Sequence, residues 1–182
     1  MLFRSLLIDM NSKPLAVLIT MNLMTAMAII GSIGAGIISD KLFKGARSPV
    51  AMGLYFIEAT VISCAAIAMF AGLIKPGTLG VFLGCMFLVM TSLTVNSTHS
   101  IVGSAAPMDI GGKKMAGFAL GVIDSFQYYG SALSLFVFGK LFAKFGWSAW
   151  YPLMVLFALS GGVSMFLVMR KQKRLTRQAA AP

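Results

Sequence analysis

The sequence predicts an all-α membrane protein, and three observations carry that prediction. Hydrophobic residues make up 58% of the 182 positions and charged residues only 11%. Soluble domains carry roughly a quarter charged residues, so a soluble fold and a disordered chain are both excluded. Mean hydropathy is +0.89. The apolar residues also fall in runs long enough to cross a bilayer core, which takes roughly twenty helical residues, and the charges gather in the gaps between the runs.

Five spans follow in order. The first runs from about Pro14 to Ser39 and the second from about Pro49 to Ile74. The third covers about Thr78 to Ala106, the fourth about Met115 to Phe138 and the fifth about Trp147 to Met169. Lys41, Lys44 and Arg47 separate the first two spans, Lys75-Pro76-Gly77 the next two, and Asp109, Lys113 and Lys114 the third from the fourth. Lys140 and Lys144 precede the fifth. Ten of the fifteen Lys and Arg residues fall on one side of this arrangement: Lys41, Lys44, Arg47, Lys113, Lys114, Arg170, Lys171, Lys173, Arg174 and Arg177. Arg4, Lys13, Lys75, Lys140 and Lys144 fall on the other. Positive charge stays cytoplasmic, so the C-terminus is expected inside an inner, plasma-type membrane and the N-terminus outside.

The chain reads as three parts: 1–13 as the remnant of a preceding helix or loop, 14–169 as the five-helix portion, and 170–182 as a basic cytoplasmic tail suited to anionic lipid headgroups. An outside N-terminus bearing Arg4 and Lys13 would have to cross unaided, and a truncated chain is therefore expected. The net charge of +10 sits in patches between apolar runs rather than along one polar face, which excludes nucleic acid as a partner. Cys64 and Cys85, deep in apolar segments, read as packing residues. One histidine and no carboxylate pair at useful spacing offer no enzyme chemistry, no metal site and no cofactor site.

Several polar residues lie at membrane depth, where each is costly and marks a candidate for function. Asn96, His99 and Ser100 share a helix face, and so do Asp124, Gln127 and Tyr128, both sets at i, i+3 and i+4. Lipid exposure of such stripes is expensive, so they are expected to face a cavity or a partner helix. His99 suits anion binding or proton relay, or a neutral hydrogen bond to a neighbouring helix. Glu58 and Asp124 are candidates for ion coupling, and Asn22 for helix-packing contacts. Gly34 and Gly36, the pairs Gly80/Gly84 and Gly117/Gly121, and Gly161-Gly162 are expected to allow close helix packing, with Gly161-Gly162 also loosening the last span.

Between the first two spans stands Gly36-Ile37-Ile38-Ser39-Asp40-Lys41-Leu42-Phe43-Lys44-Gly45-Ala46-Arg47. Asp40 sits where its carboxylate can cap a neighbouring helix N-terminus, and Lys41, Lys44 and Arg47 can hold this face by charge pairing. The segment resembles the GxxxD-(R/K)-x-x-x-G-x-R loop motif of the major facilitator superfamily. It looks most like the copy in the C-terminal half of the organophosphate:phosphate antiporters, matched at Ser39, Asp40, Lys41, Phe43, Gly45 and Arg47. Lys113-Lys114-Met115-Ala116-Gly117 with Gly121, Phe126, Tyr128 and Gly130 resembles the opening of helix eleven in that family. Phe145-Gly146-Trp147 resembles the turn before its last helix.

The resemblance implies that the five spans are helices 8–12 of a twelve-helix fold. It implies a secondary transporter that exchanges a small phosphorylated metabolite for inorganic phosphate by alternating access. Its partners would be that anionic metabolite, phosphate, membrane lipids and the missing N-terminal half. Gly36, Asp40, Lys41, Gly45 and Arg47 would form the cytoplasmic gate, and Asn96, His99, Asp124, Gln127 and Tyr128 the cavity surface. Tyr128 matches a cavity-facing tyrosine, whereas Asp124 stands where the family tends to carry a small residue. The family's phosphate-binding arginines lie on its first and seventh helices and match no position here. A membrane sugar-phosphate sensor of the same fold that signals to a kinase, and an inactive truncated relic, are the alternatives.

Overall fold

A computed structural model describes residues 14–73, 77–146 and 149–179, without the side chains of 14, 113, 175, 176 and 179. Arg4 and Lys13 of the leading segment, Lys75 and Pro76, and Trp147 lie outside the described residues. The described residues form five helices: α1 (Pro14–Leu42), α2 (Arg47–Phe70), α3 (Thr78–Ser100), α4 (Ala106–Phe145) and α5 (Trp150–Ala179). A π-helical turn, Ile101–Ala105, joins α3 to α4. Four helical stretches are long and apolar enough to span a membrane: Leu15–Leu42, Arg47–Phe70, Thr78–Gly112 and Trp150–Arg174. The protein is an all-α membrane protein.

The predicted fourth span, Met115–Phe138, is not among those four. Its helix is long enough, but Asp124, Ser125, Gln127, Tyr128, Tyr129, Ser131 and Ser134 dilute its apolar character. The predicted polar connection around Asp109 is also absent, because helical structure continues from Thr78 through the π turn to Gly111. The break comes at Gly112 alone, whose φ of 57° and ψ of −168° lie outside helical space. Only glycine adopts that backbone without strain.

Proline explains the π turn. Pro107 has no N–H to give to the carbonyl of Gly103, and its ring would collide with that carbonyl in a regular helix. The chain widens instead, and the Ala106 N–H bonds the Ile101 carbonyl five residues back. Pro107 itself is fully buried. The α1–α2 reversal is equally tight. Lys44 (φ 52°) and Gly45 (φ 82°) take left-handed backbone. The Gly45 N–H bonds the Ser39 carbonyl at 2.9 Å and the Ala46 N–H bonds that of Phe43 at 2.9 Å.

Packing pairs α1 with α3 and α2 with α5, with α2 also touching α3. The buried residues are small or medium: Ala35, Val50, Ala51 and Ile101 form one cluster, backed by Leu54, Val102 and Met165. Large apolar side chains such as Ile19, Ile29, Ile33 and Phe82 point outward, as lipid-facing residues do. The α1–α3 approach is closest at Gly31, where an added Cβ would meet the Ser97 Oγ at 2.5 Å and the Leu93 carbonyl oxygen at 2.6 Å.

Gly34, Gly36, Gly117 and Gly121 do not serve the close packing expected of them, since nothing lies within 4 Å of a Cβ built there. α3 crosses α1 one turn earlier than Gly34, and no neighbour covers α4 at Gly117 or Gly121. Gly161 and Gly162 do serve the close packing expected of them. They admit the rings of Tyr55 and Phe56, with closest approaches of 2.6 and 3.2 Å to a built Cβ. Asn22 bonds the Leu18 carbonyl of its own helix at 2.8 Å, so it does not tie helices together. The two thiols are free, and Cys64 is exposed rather than packed.

Gly31→Ala drives a methyl group into the backbone of Leu93, and overpacking of this kind costs about 1–3 kcal/mol. We expect a lower thermal midpoint for the purified protein in detergent, while Gly34→Ala stays within about 0.5 kcal/mol of the parent.

Candidate functional site

Two polar constructions stand out: a charge clamp at one end of the bundle and a cleft within it. The clamp is centred on Arg47, the first residue of α2. Its Nη1 donates to Asp40 Oδ1 at 2.8 Å and its Nε donates to Asp109 Oδ2 at 2.9 Å. The arginine side chain is 20% exposed, the two carboxylates 61% and 54%. A planar guanidinium with several fixed donors can serve two carboxylates at once, which an ammonium cannot match geometrically. One side chain thereby ties the end of α1 and the region just before the Gly112 break to the start of α2.

Asp40 therefore pairs with a side chain instead of capping a helix. The N-cap of α2 is Ala46, with no side-chain cap, and the Asp40 carboxylate is taken by Arg47. The tight turn that brings Asp40 within reach depends on Gly45, and Ser39 beneath it is fully buried. The Ser39 hydroxyl donates to the Ala46 carbonyl at 3.5 Å. Gly36 lies one turn inside α1, and Lys41 is exposed beside the clamp.

The cleft, about 670 Å³, opens between α2, α3, α4 and α5. Its polar lining is Tyr55 and Glu58 from α2, Thr98 and His99 from α3, and Gln127, Ser131 and Ser134 from α4. Val102, Leu135, Phe138, Met154 and Phe157 supply apolar wall. The Thr98 hydroxyl interacts with the Glu58 carboxyl and donates to the Thr94 carbonyl at 2.9 Å. Phe138 and Phe157 close one end edge-to-face, with ring centroids 6.0 Å apart.

Gly103, in the π turn, is what lets α3 and α4 converge here. A Cβ on it would lie 3.1 Å from the Gln127 Nε2, 3.1 Å from the His99 Cε1 and 3.3 Å from its Nδ1. A π turn beside a polar cluster is a recurrent arrangement at functional sites. Among the described residues lining the cleft there is no lysine or arginine. The arrangement can accept hydroxyl groups and exchange protons through Glu58 and His99, but it cannot by itself neutralise a phosphate.

The cleft thus brings together His99, Gln127 and Glu58. Asn96, Asp124 and Tyr128 lie outside its lining. Asn96 sits about 100° round α3 from the lining residue Val95. There its amide donates to the Ser92 carbonyl at 2.8 Å, and its own carbonyl accepts from the Ser32 hydroxyl of α1 at 3.3 Å. Asp124 continues the Gln127 stripe one turn nearer the Gly112 break and is half-buried. Tyr128, one position on from Gln127, is turned outward and 77% exposed. The sequence reading overlooked Asp109 as a clamp residue, together with Tyr55, Ser131 and Ser134. Asp109 was visible as the single carboxylate beside Lys113 and Lys114. The i, i+4, i+7 spacing of Gln127, Ser131 and Ser134 was a legible polar stripe.

No protein-family model matches the chain, and no solved structure matches it significantly. Two curated relatives do. The membrane sensor protein UhpC of Escherichia coli K12 is 29% identical over 142 residues, 77% of this chain and 29% of that relative. The membrane sensor protein UhpC of Salmonella typhimurium LT2 is 28% identical over 158 residues, 84% of this chain and 33% of that relative. The chain spans about a third of the length of the curated relatives it matches. This weak homology, together with the four apolar spans, supports a multi-pass membrane protein.

If Arg47 joins both carboxylates, Asp40→Asn and Asp109→Asn will each lower stability by about 0.2–1 kcal/mol, the range of exposed ion pairs. The same changes made on Arg47→Gln will have little further effect. A double-mutant cycle on thermal unfolding in detergent measures that coupling.

Proposed function

We propose that this chain is the C-terminal part of a secondary active transporter in an inner, plasma-type membrane, with its C-terminus cytoplasmic. Its five helices stand for helices 8–12 of a twelve-helix fold. The complete protein exchanges a small phosphorylated metabolite, such as a glycerol phosphate, sugar phosphate or phosphoglycerate, for inorganic phosphate. The observation that carries the reading is a polar cleft within a helical membrane bundle that also carries a two-carboxylate arginine clamp. Alternating access requires both a path for a polar solute and an end that can be tied shut and released. The clamp is built from ion pairs exposed enough to open at small cost.

In this reading the cleft meets the hydroxyl-bearing part of the metabolite through Glu58, His99 and Gln127. Cations from the remaining helices, in the same polypeptide or a separate chain, hold the phosphate. Asp124 continues the Gln127 stripe towards one end of the path, Asn96 and Tyr128 would bear on it only through the remaining helices, and Glu58 with Asp124 couples transport to protons. Gly36, Lys41 and Gly45 complete the gate around Asp40 and Arg47. A second reading is favoured by the relatives, both of which are named membrane sensor proteins. There the same cleft would register the metabolite without moving it and signal to a kinase.

The complete native polypeptide, reconstituted in proteoliposomes loaded with phosphate, should take up a radiolabelled phosphorylated metabolite, such as a sugar phosphate, in exchange for the internal phosphate. Gln127→Ala and His99→Ala should each reduce the initial rate at least about tenfold, as expected when one positioned polar contact is lost. Absence of exchange with retained sugar-phosphate binding would select the sensor. Absence of both would exclude the phosphorylated class.

A further inference from the structure

The chain carries only five carboxylates, Asp9, Asp40, Glu58, Asp109 and Asp124, against fifteen lysines and arginines. At the clamp end of the bundle the described carboxylates are Asp40 and Asp109, and Arg47 takes both. Glu58 lies eleven residues further along α2, about 16 Å from that end. The other cations of this end must find their counter-ions outside the described chain. Those on α5 are arranged for it. Arg170, Lys171 and Arg174 are all exposed, and with Leu167 they line a groove of about 370 Å³.

The position of the groove on α5 is specific. Ala158 and Gly162 are buried, Gly161 and Gly162 receive the Tyr55 and Phe56 rings, and Met165 packs on the core. Gln172 accepts a hydrogen bond from the Ser48 hydroxyl at 2.8 Å. These residues form one stripe at helical spacing, turned towards α2. Leu167, Arg170, Lys171 and Arg174 form a second stripe about 180° round the helix from it. They therefore face away from the bundle at the level where α2 begins, which is the edge of the apolar span. The Arg170 guanidinium lies 5.4 Å from the Phe166 ring centroid, a contact that keeps it close to the helix surface.

We propose that the outer groove of α5 binds the headgroup of an anionic phospholipid. Arg170, Lys171 and Arg174 hold the phosphate, and Leu167 lies against the first acyl carbons. Three donors converge on one anion while the apolar residue below continues into the hydrocarbon layer. Only a ligand with a negative head and an apolar tail matches both parts. The site is independent of whether the cleft transports or senses.

The test is native mass spectrometry of the purified full chain, titrated in detergent with phosphatidylglycerol or phosphatidylcholine. Phosphatidylglycerol should bind at least about tenfold more tightly than phosphatidylcholine, from roughly 1 kcal/mol for each cation near an anionic surface. Arg170→Gln/Lys171→Gln/Arg174→Gln should abolish that preference. Lys41→Gln/Lys44→Gln/Lys114→Gln, which removes the same charge from the same end, should change it less than about twofold. Equal loss in both triple variants would overturn the site in favour of diffuse attraction. Equal binding of the two lipids, or full competition by millimolar inorganic phosphate, would also overturn it. Should the α5 triple variant fail to fold, Arg170→Gln and Arg174→Gln singly must each weaken phosphatidylglycerol binding, or the proposal falls.

Discussion

The absence of water from the bilayer core governs this structure. Within the hydrocarbon layer a backbone N–H or carbonyl has no solvent to turn to, so it must be satisfied inside the protein. The side chains obey the same rule. Thr20, Thr25, Thr60, Thr91 and Thr98 each return a hydroxyl hydrogen bond to the carbonyl four residues earlier. Ser97, Ser125, Ser134 and Ser164 do likewise. Where Pro107 removes a donor, the helix repairs its ladder by widening to the π turn rather than by opening. That repair has a further consequence. It places Gly103 against both His99 and Gln127, so the defect introduced by a proline lies beside the cleft.

The same constraint decides how the helices hold together. Lipid tails are as apolar as leucine side chains, so burying Leu against Leu gains little between membrane helices, and close backbone approach has to supply the attraction. The contacts follow that logic. α1 meets α3 at Gly31 under Ser97, and α5 meets α2 where Gly161 and Gly162 receive the rings of Tyr55 and Phe56. The Ser32 and Ser92 hydroxyls add cross-helix bonds to the Asn96 and Met24 carbonyls at 3.3 and 2.9 Å. Charge is pushed to the ends, and there a single arginine organises three helix termini.

Much of this was legible in one dimension. Hydropathy alone located α1, α2, α3 and α5 to within a few residues at most ends, because twenty apolar residues in a row have few other uses. The partnership of Asp40 with Arg47 was foreshadowed by their short separation across a glycine-containing turn. Asp109 was not, since its contact with Arg47 spans 62 positions and depends on how the Gly112 break aims the chain. Helical spacing singled out the polar residues of α3 and α4, yet spacing cannot say which way each side chain turns. Thus His99 and Gln127 both line the cleft, while Asn96 lies outside its lining and Tyr128 turns outward. The glycine pairs show the same limit: Gly31 stands in no pair and makes the closest approach, whereas Gly117 and Gly121 form a pair and meet nothing.

The lining of the cleft constrains what it can recognise. It offers a carboxyl group, an imidazole, an amide and hydroxyls, but no fixed cation among its described residues. A phosphate dianion placed there would forgo its hydration shell without gaining a counter-charge, and a buried unpaired charge is among the least favourable states in a membrane protein. Hydroxyl groups fare differently. Each can donate to Glu58 or accept from Gln127, replacing the bonds it gave up to water. A phosphorylated polyol divides into these two chemistries, and the division matches a site shared between two parts of a protein. In the proposed reading these helices would offer the hydrogen-bonding wall, and the countercharge would come from whatever closes the other side.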